Sequence, residues 1–141
     1  MINEEINQNF AEFKKIMQSE LKENFEKYLK ALNEKPVRGL RINTKKINVK
    51  DFLAKTDLNL TPLKFSDDCF IFNSDEKLGG SVSHLAGLIY LQEPSSMIAV
   101  ASSGIEKENR PLKVLDLCAS PGGKTGQIVT KLTDESLIFS N

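Results

Sequence analysis

The stretch Lys113-Val-Leu-Asp-Leu-Cys-Ala-Ser-Pro-Gly-Gly-Lys-Thr-Gly-Gln127 decides the fold class of this chain. Its apolar run, Val114-Leu-Asp-Leu117, predicts a buried strand. The Pro121-Gly122-Gly123 turn then leads into a helix over 124–132, and Ser136-Leu-Ile-Phe-Ser140 has the composition of a second buried strand. Strand, glycine turn, helix and strand make one βαβ unit, with parallel strands and a right-handed crossover. Glycines let the backbone approach a ligand closely, and a new helix offers free N–H groups at the same spot. In open α/β sheets this first turn is where nucleotide-like cofactors bind.

The chain upstream has a different grammar. Ile2, Ile6, Phe10, Phe13, Met17, Leu21, Phe25, Leu29 and Leu32 recur at steps of three or four, the mark of an apolar helical stripe. Ser19 is a candidate cap, so two helices are expected, over 2–17 and 20–32. Pro36 stops the second. Val37 to Asn43 alternates, which predicts a strand with Leu40 and Ile42 inward and Arg41 and Asn43 outward. A short helix over 49–54 follows. Leu60 to Phe65 contains Pro62 and reads as an edge strand, and Cys69-Phe-Ile-Phe72 as a strong one. Asn73-Ser-Asp-Glu76 is a turn, and the glycine-rich segment 78–87 a loop with a helical turn. Leu88 to Gln92 is strand-like, and a helix capped by Ser95 runs to Ala101. These signals predict an α+β N-terminal domain over 1–77, followed over 78–141 by the first βαβ part of a Rossmann-like α/β domain.

Composition narrows the function classes. Nineteen Lys/Arg balance nineteen Asp/Glu, so net charge alone points to no polyanion partner. The charges are unevenly spread: residues 1–50 carry eleven basic side chains against seven acidic, and 51–110 five against nine. Arg38, Arg41, Lys45, Lys46 and Lys50 are therefore candidate RNA phosphate contacts, with ordinary solvated lysines as the alternative. Cys69 and Cys118 form no disulfide framework and have no metal-ligand spacing. With His84 the single histidine, no metal site is expected. The N-terminus lacks the basic start of a signal peptide, and no apolar run has membrane-spanning length. A cytoplasmic monomer is expected.

The glycine turn by itself admits several readings. Gly123-Lys124-Thr125 matches the end of a phosphate-binding loop, but Cys118 stands where the first glycine belongs. A dinucleotide fingerprint fails on spacing, since the glycines are 122, 123 and 126. A methyltransferase-type cofactor turn, with Asp116 at the strand end, and a purely structural βα turn remain.

Three stretches in order favour one of these. Asp116-Leu-Cys-Ala-Ser-Pro-Gly-Gly-Lys-Thr125 resembles the first methyltransferase motif of the Nop/Sun family of RNA cytosine-5 methyltransferases. Leu88 to Met97 resembles the segment preceding that motif, and Val37 to Thr44 a strand of the same family. The one departure is Ser120, where alanine is usual. The resemblance implies a catalytic domain that binds S-adenosylmethionine through Cys118, Ala119, Ser120, Pro121, Gly122, Gly123 and Lys124, with Asp116 orienting the loop or capping helix N–H groups. It implies ribosomal RNA as substrate, with transfer RNA as the alternative.

The implied chemistry is covalent: a cysteine thiolate adds to carbon 6 of cytosine, and carbon 5 then takes the methyl group. In the family that nucleophile and a second cysteine lie downstream of the cofactor loop. Cys69 is expected to be core packing and Cys118 a loop residue, so no catalytic residue is assigned. The expectation is an inactive N-terminal fragment of an active enzyme, which also lacks the family's ribose-binding acid. A non-enzymatic module binding RNA or protein is the alternative. His84 and Tyr90 are taken as structural, with a role at a domain interface as the alternative.

Overall fold

The computed structural model describes residues 2–73, 75 and 77–141, with side chains from Phe10 onward. The side chains of Ile2 and Ile6, and residues Ser74 and Glu76 of the expected turn, lie outside that set. The chain divides into two compact units, one ending at Lys35 and one starting at Pro36.

The first unit is a pair of helices, α1 (Ile2–Leu21) and α2 (Phe25–Leu32), joined by a tight 3-10 turn over Lys22–Asn24. The break falls later than Ser19 suggests. Ser19 does not cap a new helix; its hydroxyl donates back to the Ile16 carbonyl at 2.7 Å, a bond compatible with helix continuation. Lys22 instead takes the left-handed φ of +47°, uncommon outside glycine, and turns the chain. Phe13 stacks near Phe10 and tilts against Tyr28 of α2, with centroids 6.3 and 6.4 Å apart. Phe10, Phe13 and Ile16 stay exposed.

The second unit carries a four-stranded antiparallel sheet in the order β2 (Leu60–Pro62), β3 (Cys69–Phe72), β1 (Arg38–Ile42), β4 (Ile89–Leu91). Proline donates no ladder hydrogen bond, and β2, which ends at Pro62, is accordingly an edge. Leu40, Ile42, Phe70, Phe72 and Ile89 form the core on one face, joined by Phe52 of α3 (Val49–Lys55). Asn48 caps α3 by accepting from the Asp51 amide at 2.8 Å. Leu40 and Ile42 are fully buried, each contributing about 1.5–3 kcal/mol.

The opposite face of this sheet is also covered. Gly39, Arg41 and Cys69 lie beneath α5 (Pro94–Ala101) and α6 (Gly123–Lys131), so the outward Arg41 of the alternation is buried as well. Gly39 is required there: an added Cβ would come within 2.7 Å of the Gln92 carbonyl oxygen and 2.9 Å of Met97 Cε. Glu93, not Ser95, caps α5 by accepting from the Ser96 amide at 3.1 Å, with Pro94 opening the helix. The short α4 (Val82–Leu85) precedes β4.

Past α5 the chain forms the expected βαβ unit. β5 (Lys113–Asp116) and β6 (Leu137–Ser140) pair in parallel around α6. The expectation that both strands are buried is corrected: the side of this ribbon bearing Leu115, Leu117, Leu137 and Phe139 is exposed, because no described element covers it. The expected junction at 77/78 is corrected by the sheet itself. β4 lies beyond it yet pairs with β1, and the division between compact units falls at 35/36. The pairing that joins the two stretches is non-local, so no local breaker marks it.

Candidate cofactor turn

Asp116 ends β5 and organises the turn after it. Its Oδ1 accepts from the Cys118 amide at 3.2 Å, and its Oδ2 from the Thr125 hydroxyl at 2.7 Å. One carboxylate therefore spans the turn, holding its start to the first turn of α6. The end of β6 supports the same segment: the Ala119 amide donates to the Asn141 carbonyl, and the Asn141 amide to the Asp116 carbonyl, both at 3.0 Å. Gly122 has φ +103°, a left-handed value that suits glycine, and occupies the N-cap position of α6 without any side-chain cap. The amides of Gly123, Lys124 and Thr125 therefore head the helix with neither an intrahelical partner nor a capping side chain.

The seven predicted loop residues do not share one surface. Ala119, Ser120, Pro121 and Gly122 line an open cleft of about 710 Å³, together with Lys45 and Lys46 of the β1–α3 loop. Cys118 and Lys124 line a separate cavity of about 430 Å³ with Val100 and Val114. Gly123 belongs to neither; its α-carbon packs toward the Tyr90 ring, which an added Cβ would meet at 3.4 Å. Thr125 and Asn141 hold the turn in shape and escaped the sequence reading. Thr125 had a readable signal, a hydroxyl nine residues after a strand-ending carboxylate.

The basic candidates separate as well. Arg38, Lys45, Lys46 and Lys50 are exposed. Lys45 pairs with exposed Asp134 at 2.6 Å, and Lys46 donates to the Ala86 carbonyl at 2.7 Å. Arg41 is withdrawn from the phosphate contacts, because only 2% of it is exposed. Its guanidinium donates to Gln92 Oε1 at 3.4 Å, to the Gly123 carbonyl at 3.3 Å and to the Gly126 carbonyl at 3.5 Å. It also lies 5.4 Å from the Tyr90 ring centroid, a cation–π distance. Burial pushes its pKa down, against the opposing influence of Asp68.

Asp68 and Cys69 share this interior. Burial alone would raise the Asp68 carboxyl. Hydrogen bonding from Ser66, together with the Lys131 ammonium and Cys69, holds it below its ordinary value. Asp68 Oδ1 is 3.0 Å from Lys131 Nζ. The Cys69 thiol is pushed up to about 12, by burial first and by the Asp68 charge second. Cys118 is exposed. Among the described residues, no group of three or more His, Cys, Asp or Glu side chains is arranged to hold a metal, and no helix is long and apolar enough to cross a membrane.

Residues 10–94 match the family described as the N-terminal domain of 16S rRNA methyltransferase RsmF. The chain belongs to this family. It is 38% identical over 138 residues to ribosomal RNA small subunit methyltransferase F of Salmonella arizonae, covering 93% of this chain and 28% of that protein. It is equally identical over 125 residues to the Escherichia coli protein of that name, covering 84% of this chain and 26% of the relative. The chain thus spans little more than a quarter of these RsmF relatives' length. The solved structure of a methyltransferase homolog protein from Pyrococcus horikoshii superposes with a TM-score of 0.70 at 26% identity, over 84% of this chain and 39% of that one. The resemblance carried by the three sequence stretches and this match agree on a ribosomal RNA methyltransferase family.

Proposed function

We propose that this chain supplies the N-terminal part and the cofactor turn of an S-adenosylmethionine-dependent enzyme that methylates carbon 5 of cytosine in ribosomal RNA. The observation that carries this reading is the uncapped start of α6 behind left-handed Gly122, in a chain of the RsmF family. Free helix-start amides suit a carboxylate such as the one at the methionine end of the cofactor. Gly122 adds no side chain there: a Cβ would meet only the Ala119 carbonyl oxygen, 3.9 Å away, so the backbone edge is open. Lys124 adds positive charge beside those amides. Asp116, engaged within the turn, keeps its shape and is not assigned a ligand contact.

S-adenosylmethionine supplies the methyl group when bound. The nucleophile is not assigned to either cysteine of this chain. A thiol at about 12 in the sheet interior stays protonated and out of reach, which removes Cys69. Cys118 belongs to the turn. The chain alone is therefore proposed to be inactive, with the thiolate supplied by sequence downstream. Arg38, Lys45, Lys46 and Lys50 are assigned to RNA phosphates, and the protein to the cytoplasm.

Tritiated S-adenosylmethionine tests both halves. Equilibrium dialysis is expected to show binding to the chain, weakened at least about tenfold in Gly122→Val, since a β-branched residue resists that φ. Equal binding by the two, or none by either, removes the cofactor assignment. Transfer of label to 16S ribosomal RNA by this chain alone removes the inactivity assignment.

A further inference from the structure

Arg41 and Asp68 reach α6 from one corner of the antiparallel sheet. Arg41 is in β1, its register partner Cys69 opens β3, and the Ile42 amide donates to the Asp68 carbonyl at 2.8 Å. From that corner Arg41 grips the first turns of α6 at Gly123 and Gly126, while Asp68 grips Lys131 in the last turn. The anchors Gly123 and Lys131 lie eight residues apart, or about 12 Å along the axis. Gln127, midway between them, is fully buried and donates to the Met97 carbonyl of α5 at 3.0 Å. Positions 123, 127 and 131 fall on one face of the helix.

We propose that Arg41 and Asp68 form a two-ended clamp on α6 that sets the position of the Cys118–Lys124 turn, making both of them positioning residues for cofactor binding. This rests on the assignment of that turn to the cofactor. Neither residue lines the cleft beside the turn. Each Arg41 bond is long, at 3.3–3.5 Å, and none would hold the helix alone. Together the Gly123 and Gly126 carbonyls, Gln92, the Tyr90 ring and the more distant Asp68 carboxylate answer this buried charge. A carbonyl oxygen has two lone pairs, so Gly123 and Gly126 can accept from Arg41 while also accepting along the helix. Gln127 alone, at the middle of α6, would leave the helix free to pivot. Two anchors at opposite ends fix its tilt, and through Thr125 and Asp116 they fix the turn. Lysine would keep the charge of Arg41 but not the fork that reaches two carbonyls.

Amide hydrogen exchange on the full chain, with Arg41→Lys and Asp68→Asn, tests the clamp. The hydrogen-bonded amides of Cys118, Ala119 and Gly126 are expected to exchange about tenfold faster in each variant, while those of β3 and α3 keep wild-type protection. The dissociation constant for S-adenosylhomocysteine should rise by at least about fivefold in the same variants. Unchanged exchange at the turn in Asp68→Asn overturns the clamp, and this nearly isosteric variant decides if Arg41→Lys loses protection everywhere. Loss of protection throughout the sheet in both also overturns it, by assigning the two side chains to general stability. If the wild type binds no cofactor, the exchange result still decides the clamp, and only the cofactor assignment falls.

Discussion

Two residues show how far local context departs from residue type. Cys69 and Cys118 have the same side chain, yet one sits in the sheet interior with its thiol near 12 and the other is exposed. Iodoacetamide is expected to modify Cys118 in the native chain and to reach Cys69 only after denaturation, as peptide mass spectrometry would report. Labelling of both in the native state would contradict the burial. Gly39 carries the opposite kind of constraint, a demand for nothing beyond hydrogen. In Gly39→Ala the new methyl meets backbone oxygen at 2.7 Å, so β1 or the Gln92 segment has to shift. A cost of about 1–3 kcal/mol is expected from urea denaturation. A midpoint equal to the wild type would show the strand yielding freely.

The α6 helix is where charge, burial and pH meet. Asp68 is held below its ordinary value, so its stabilising contribution is complete above the unfolded carboxylate range and is lost as pH falls through the lowered native value. At neutral pH Asp68→Asn should be less stable than the wild type. The gap should narrow below about pH 4, where the unfolded carboxylate also protonates. A gap independent of pH would show that the carboxylate charge does not matter. The same elements mark what was legible in the sequence. The alternation around Leu40 and Ile42, the edge proline of β2 and the strand–turn–helix at Gly122 are local signals, and each lies where expected. The burial of Arg41 depends on carbonyls 82 and 85 positions away, which no pattern within β1 can announce. Ser19, the expected cap of the second helix, bonds back to Ile16 within α1, and the Ser95 cap of α5 lost to a competitor. Serine and glutamate compete for the same amides, and Glu93 reaches Ser96 while the Ser95 hydroxyl donates to Glu93.

For the molecule as a whole, moving Arg41 inside splits the basic surface into two roles. Replacing Lys45 and Lys46 with alanine in the whole enzyme should weaken ribosomal RNA binding about equally across sequences, and lower the salt slope by roughly one for each phosphate these lysines neutralise. Unchanged affinity and slope would return both lysines to ordinary surface chemistry. The buried arginine also has a consequence in time. β1 acquires both of its sheet neighbours once Leu91 has been made, but Gly123 is thirty-two residues further on. At typical translation speeds that interval is roughly 2–6 s. A sheet that paired within that interval would form with the guanidinium still open to water, and its desolvation would wait for the carbonyls of Gly123 and Gly126.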